Sequence, residues 1–359
     1  MPEREISEIT RLQAENDRLY NVLEVGALLS SSLDLDVVLD SLMTKARELC
    51  EAEASSLMLF DEEKEELYFH TIKGEKSEAI RNIRLKLGEG ISGWVAQAGK
   101  PVLVADASSD PRFSRKADDS SSFETRTMMC VPLKARRRVI GTVQVLNKVG
   151  KRLFDEDDLR IFQSMGNQAA VAIENARLHT MATVDGTTGL YIKSYFKARM
   201  QEEFRRAKAT GQPLSMLMSD IDLFRNVNNT YGHQGGDQAL VELAGVIKET
   251  VHKLGSDDIA GRYGGEEFCV LLPESGPERG LEVSELIRKN IEKHPIPVGD
   301  NEITNITISI GVSSYPLHKE HIHEVDDFVK LADEALYLCK HRGRNCCSLY
   351  EPGASPTAQ

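Results

Sequence analysis

Apolar positions along this chain repeat with two periods, helical and alternating, and the switches between them divide it into a succession of short elements. Leu35 to Cys50 carries Val38, Leu39, Leu42, Met43, Ala46 and Leu49 at helical spacing. Ser55 to Phe60, Leu67 to Ile72, Val102 to Ala105, Met128 to Leu133 and Val139 to Leu146 read as strands. One long helix is expected over Asp155 to Thr183. In the second half, helices are predicted over Lys193–Thr210, Gln234–Leu254, Pro277–Lys293 and Val325–Lys340. Strands are predicted from Leu214 to Asp220, on both sides of Gly264-Gly265, over Asn305–Val312 and over Cys347–Tyr350. Helices and strands alternating around a mixed sheet give the second half an α+β architecture of ferredoxin-like type.

Two stretches carry a narrower apolar stripe. Ile9, Leu12, Leu19 and Leu23 fall on steps of three and four if Asn16 fills the place between Leu12 and Leu19, a heptad seam with one polar position that favours two strands. Leu159, Phe162, Gly166, Ala169, Ile173, Ala176 and Thr180 form a second seam. Either could join two copies of the chain as a coil. Either could equally be an amphipathic helix packed on its own domain.

The 359 residues allow two full domains. The pattern divides them as 1–30, a helix; 31–155, a first domain; 156–183, a connecting helix; 184–351, a second domain; and 352–359, a tail. A net charge of -12 sets no broad positive field around the molecule, so neither nucleic acid nor an anionic membrane is expected as a partner. Met1-Pro2-Glu3-Arg4-Glu5 has no signal-peptide core, and no segment reaches the ~18 apolar residues that cross a bilayer. The expected location is the cytoplasm. The six cysteines show no Cys-x-x-Cys spacing and read as buried thiols.

Candidate chemistry centres on Arg262-Tyr263-Gly264-Gly265-Glu266-Glu267-Phe268, where two glycines of an expected positive-φ turn precede two carboxylates and a buried strand. A second apolar strand, from Leu214, ends in Asp220-Ile221-Asp222. If the two strands are neighbours, Asp220 and Glu266 converge. Carboxylates without histidine or cysteine suit a hard cation such as Mg2+, which commonly shares its shell with phosphates.

These segments, with Phe224, Arg225, Asn228, Gly232-His233, Gly236-Asp237, Ala332-Asp333-Glu334-Ala335-Leu336-Tyr337, Lys340 and Gly343-Arg344-Asn345, closely resemble the GGDEF family of diguanylate cyclases. The resemblance covers about Asp185 to Tyr350 and implies the core shared by nucleotide cyclases and polymerase palms. It implies condensation of two GTP into cyclic di-GMP and two pyrophosphates on two Mg2+ per site, with Mn2+ as a substitute. Asp220, Glu266 and the carbonyl of Ile221 would be metal ligands, and Glu266 and Glu267 catalytic. Asn228 and Asp237 would read guanine, and Phe224, Gly264 and Gly265 would line the nucleotide site. Arg225, Lys340 and Arg344 would meet phosphate; Lys340 and Arg344, four apart, would share one side of the last helix or its extension. Arg225 stands where the family usually has lysine, and Thr187 where it has leucine.

Many members also carry Arg-x-x-Asp five residues before the glycine pair, where product inhibits. Gly255 replaces that arginine and Asp258 is retained, so no inhibitory product site is expected.

The first half, with Leu87-Gly88-Glu89-Gly90-Ile91-Ser92-Gly93-Trp94 and the strands around it, resembles a GAF domain, a sensor built on an antiparallel sheet with a small-molecule pocket. Gly88, Gly90 and Gly93 lack the context of a phosphate loop and read as turns before a short helix. Asn147-Lys148, Phe154 and Asp158 match most of a signature found in cyclic-nucleotide-binding members, although Leu159 stands where glutamate belongs. A cyclic nucleotide is one candidate ligand; helix capping at Asp155 explains the same residues. His318, His321 and His323 are expected in a solvated loop.

The implied enzyme is a homodimer joined through its N-terminal and connecting helices. The alternative is a catalytically silent module that holds GTP or cyclic di-GMP.

Overall fold

The computed structural model describes residues 35–354 apart from 75–76, 256 and 299–301. The Ile9–Leu23 seam lies outside the described residues. The chain divides into two compact units, residues 1–179 and 180–359.

In the first unit, helix α1 (Leu35–Leu49) precedes strands β1 (Ala52–Asp61), β2 (Glu66–Lys73) and β3 (Arg84–Lys86). Helix α2 (Gly90–Ala98), β4 (Val102–Val104), a short helix α3 (Lys116–Ser121), β5 (Met128–Ala135) and β6 (Arg138–Lys148) follow. The sheet order is β3-β2-β1-β6-β5-β4 with antiparallel neighbours throughout. Alternation along the strands gives the sheet two working faces. Leu57, Met129, Val131, Val143 and Val145 pack against α1 and the long helix α4 (Glu156–Thr183). The opposite face, with Ser56, Met128 and Gln144, lines a cavity. Gly88 and Gly90 take φ of 84° and 68°, and a Cβ on Gly93 would sit 2.4 Å from the Lys86 carbonyl, so these glycines build the turn into α2.

Of the two arrangements open for helix α4, packing on its own domain accounts for much of the stripe. Leu159, Phe162, Ala169 and Ile173 are buried in the core of the first unit, and a Cβ on Gly166 would come within 2.8 Å of Val131. The small residues of that stripe let the helix approach its own sheet. The large exposed apolar residues of α4 are Val171, Leu178 and Met181, spaced by seven and three.

The second unit holds β7 (Tyr191–Ile192), α5 (Lys193–Thr210), β8 (Leu214–Ile221), α6 (Phe224–Leu254), β9 (Ile259–Arg262), β10 (Glu267–Pro273) and α7 (Pro277–Lys293). A small hairpin, β11 (Ile296–Val298) with β12 (Glu302–Thr304), precedes β13 (Ile308–Tyr315), α8 (Val325–His341) and β14 (Cys347–Leu349). The sheet order is β14-β13-β8-β10-β9-β7, with β7 and β14 parallel to their neighbours. Strand β8 is buried along its whole length because both faces are covered. Leu217 and Ile221 point toward α6 and α7; Met216 and Met218 point toward α5 and α8.

Helix α6 begins ten residues earlier than expected. Its first turns, from Phe224, meet the rest across Gly232, whose φ of 71° and ψ of 176° break the helix. Glycine there hid the first segment from a periodicity reading. The histidine cluster is not uniformly solvated: His318 is 5% exposed, its Nδ1 accepts from the Ser314 N–H at 3.1 Å, and its ring meets Tyr350 edge-on. Burial, then neighbouring His321, lowers its pKa.

Candidate active site

Strands β8 and β10 run antiparallel with Glu267 opposite Asp220, so both carboxylates stand on one face at the end of the sheet. Glu266 lies one residue earlier, in the turn, and its carbonyl accepts from the Ile221 N–H at 3.3 Å. The strands whose ends carry acid are therefore neighbours. Burial and then the Asp220 charge raise the Glu266 pKa, with Lys340 opposing them. Lys340, at the end of α8, places its Nζ 2.8 Å from Asp220 Oδ2.

The glycine turn differs in mechanism from the expectation. Neither Gly264 nor Gly265 has a positive φ. A Cβ on Gly264 would sit 2.4 Å from Glu267 Oε2 and would displace that carboxylate, whereas Gly265 has open space. The turn is held by Arg262. Its Nε and Nη2 donate to the Gly265 carbonyl at 3.1 and 2.7 Å, and its Nη1 donates to Asp185 Oδ1 at 3.0 Å.

Residues 182–346 match the family model described as diguanylate cyclase, GGDEF domain, and residues 34–173 match the GAF domain model. The chain carries a GAF domain followed by a GGDEF domain. It is 39% identical over 231 residues to diguanylate cyclase A of Treponema denticola, covering 63% of this chain and 60% of the relative. It is 33% identical over 168 residues to diguanylate cyclase DosC of Escherichia coli, covering 47% of this chain and 35% of the relative. The chain thus spans from about a third to about three fifths of these curated relatives' lengths. The solved GGDEF domain of DgcB from Caulobacter crescentus, in complex with c-di-GMP, is 30% identical; 47% of this chain covers 94% of that structure, with a TM-score of 0.44.

In the GAF–GGDEF protein the remaining site residues divide into two groups. Asn228 is half-buried, and its carboxamide packs so closely on Gly236 that a Cβ there would lie 1.9 Å from Oδ1. Asp237 follows, exposed, so the break of α6 at Gly232 brings Asn228 against Gly236, the residue before Asp237. Arg225 is exposed on the first turn of α6. Phe224, expected at the nucleotide, is instead 6% exposed and packs in the core beneath Gly236.

Arg344 also departs from the expectation. Helix α8 ends at His341, and Gly343, Arg344 and Asn345 take φ of 106°, 66° and 49°. Lys340 is helical and Arg344 lies in a left-handed turn, so four-residue helical spacing does not relate them. That turn is tied down by Asp222, a residue to which sequence reasoning gave no role. Its carboxylate accepts from the Thr307 hydroxyl at 2.7 Å, the Ser309 hydroxyl at 2.7 Å and the Asn345 N–H at 2.9 Å. With three donors a buried carboxylate is satisfied and rigid. Arg288 of α7 adds a bond to Asn345 Oδ1 at 2.7 Å.

Asp258 is not open to a ligand. Arg279 Nη2 lies 3.1 Å from its Oδ2, and the carboxylate is 5% exposed. Burial raises its pKa despite that cation. Gly255 has an extended backbone at φ -175°.

In the GAF domain, Asn147, Lys148, Phe154 and Asp158 form an internal lock. Asn147 Oδ1 accepts from the Arg126 and Thr127 N–H groups, and its Nδ2 donates to Glu53. Lys148 pairs with Asp158 and lies over the Phe154 ring. Asp155 caps α4 by accepting from the Asp157 and Asp158 N–H groups. None of the four signature residues lines the cavity on the far face of the sheet.

Proposed function

We propose that this GAF–GGDEF protein is a diguanylate cyclase, joining two GTP into cyclic di-GMP with release of two pyrophosphates under control of a small ligand at its GAF domain. The observation that carries the reading is the meeting of Asp220 and Glu266 at the ends of β8 and β10, with Lys340 beside them. The relatives named diguanylate cyclase support it.

Asp220, Glu266 and the Ile221 carbonyl offer only oxygen, which suits Mg2+ or Mn2+, and the raised Glu266 pKa marks negative charge that a cation would relieve. When bound, Mg2+ lowers the pKa of the attacking 3′ hydroxyl and neutralises phosphate charge. The protein's own groups supply the rest. Lys340, Arg344 and Arg225 hold the triphosphate. Gly264 and Gly265 form the turn beside it, and Phe224 backs Gly236, next to Asp237, from the core. Asn228 and Asp237 accept and donate at the guanine edge. Glu266 takes the hydroxyl proton, with Glu267 adjacent.

Each such domain holds one GTP, so the reaction needs two copies with their sites opposed. The homodimer uses the exposed Val171–Met181 face of α4. Among the described residues no helix is long and apolar enough to cross a membrane; the proposed location is the cytoplasm. With Asp258 occupied by Arg279 and arginine absent at Gly255, product feedback at that place is weak.

The test incubates the full chain with GTP and Mg2+, with and without ATP or added cyclic di-GMP, and resolves products by chromatography and mass detection. Cyclic di-GMP lost in Glu266→Gln is expected. GTP binding without product, across a ligand screen, would instead mark a silent binding module.

A further inference from the structure

The cavity of the first unit has a volume of about 90 Å3 and lies between the far face of the sheet and the segments carrying Ile83, Phe113 and Phe123. Its walls are mainly apolar. One wall is polar: Ser92 Oγ donates to Gln144 Oε1 at 2.7 Å, and Gln144 Nε2 donates to Ser56 Oγ at 2.8 Å. The three side chains are 3%, 9% and 2% exposed. In this arrangement the Ser56 hydroxyl hydrogen and the second Gln144 amide hydrogen are the donors left to a guest, so the wall suits an accepting oxygen.

The charged groups at the cavity are already engaged. Lys73 pairs with Asp40 at 2.5 Å, and Lys116 pairs with Glu89. Asp118 accepts from the Thr125 N–H and hydroxyl at 2.8 and 2.7 Å. The two lysine pairs are part-exposed and cost little to break; what disfavours an anionic guest is the mainly apolar lining, which would strip its water, together with the Asp118 carboxylate that also lines the cavity. The Asn147-Lys148-Phe154-Asp158 lock offers no help, since it lies away from the cavity and its charges are mutually satisfied.

We infer that the GAF cavity takes an uncharged, largely apolar small molecule carrying one hydrogen-bond-accepting oxygen, and not a cyclic nucleotide. This deepens the regulatory half of the proposed function. It rests on the assignment of that domain as a ligand sensor, and is independent of whether the second domain turns over GTP.

The full-length chain is titrated calorimetrically with acetophenone, neutral with a carbonyl acceptor, and with benzoate, a similar ring bearing a charge. cAMP and cGMP are titrated alongside. Acetophenone is expected to bind at least tenfold more tightly than benzoate, with no heat from either cyclic nucleotide. Gln144→Leu and Ser56→Ala should each weaken acetophenone severalfold. Ala117→Phe, which fills the cavity from its rim, should abolish binding while keeping the melting temperature of the parent. Tighter binding of benzoate or of a cyclic nucleotide would overturn the inference. So would failure of acetophenone to bind, or binding indifferent to Ala117→Phe. Cyclase assays on the same samples are read separately, so an inactive second domain would leave the binding result standing.

Discussion

Arg262 and Asp185 are joined across 77 residues by a 3.0 Å ion pair, and the same guanidinium holds the carbonyls of the glycine turn. Burial alone would raise the Asp185 pKa, but hydrogen bonds from Thr188 and Arg262 hold it below the usual carboxylate value. The turn that carries Glu266 is thus positioned by the segment through which α4 enters the second domain. Arg262→Met should leave the carboxylates in place but loosen their turn, lowering kcat on the order of tenfold or more with a smaller change in KM. Loss of about 1–3 kcal/mol of stability is expected as the freed acceptors lose a charged donor. Steady-state kinetics and urea melts check both; unchanged kcat would show the ion pair to be only structural.

Gly264 and Gly265 are adjacent yet should respond differently. Gly264→Ala must push the Glu267 carboxylate aside, which the side chain can do by turning, and should lower turnover with little loss of stability. Gly265→Ala meets open space in an ordinary backbone region and should keep the parent melting temperature. If Gly265→Ala raises KM for GTP while folding normally, the substrate passes over Gly265. Equal kinetic effects with equal destabilisation would contradict the packing account.

The two faces of α4 separate folding from association. Ala169 is fully buried in the GAF core, so Ala169→Glu should unfold that domain through an unpaired buried charge. Val171→Glu and Leu178→Glu lie on the exposed face and should preserve the melting transition. They should shift sedimentation toward monomer and lower cyclic di-GMP output. Dimers surviving both substitutions would move the interface elsewhere.

Acid should weaken the corner around Arg344. Arg288, hydrogen-bonded to Glu285, holds the Glu285 carboxyl down to about 2, against an ordinary value of 4.5. Because the folded-state pKa is depressed, the contribution is complete above about pH 4.5 and is lost as pH falls toward 2. Glu285 is 39% exposed, so the effect is screened and modest. The stability difference between the parent and Glu285→Gln, measured by urea titration, should shrink from pH 5 to pH 2.5. A difference constant across that range would refute the linkage.

Much of this architecture was legible in the chain. Lys193–Thr210 and Pro277–Lys293 form helices with the expected bounds because their amphipathic period is uninterrupted. The strand ending in Asp220 and the glycine turn before Glu267 carried the family motif, since a turn followed by an apolar run is encoded locally. Other features depend on which elements become neighbours. Asp222 finds its hydroxyl donors 85 and 87 residues away and its backbone donor 123 away. The helical stripe of α4 predicted an apolar face, but whether a second copy or its own sheet covers that face is decided by packing, as Phe162 and Gly166 show.

Read alone, the chain fixes most of the order of elements and the strand end and turn that carry Asp220 and Glu266, because periodicity, turn chemistry and motif spacing are properties of short segments. Packing settled the rest: Glu267 opposite Asp220, Arg344 in a left-handed turn, Arg279 on Asp258, and the mainly apolar cavity of the first unit. Registers, ion pairs and enclosure arise only where distant segments meet, and which of them meet is set by how the whole chain buries its apolar surface.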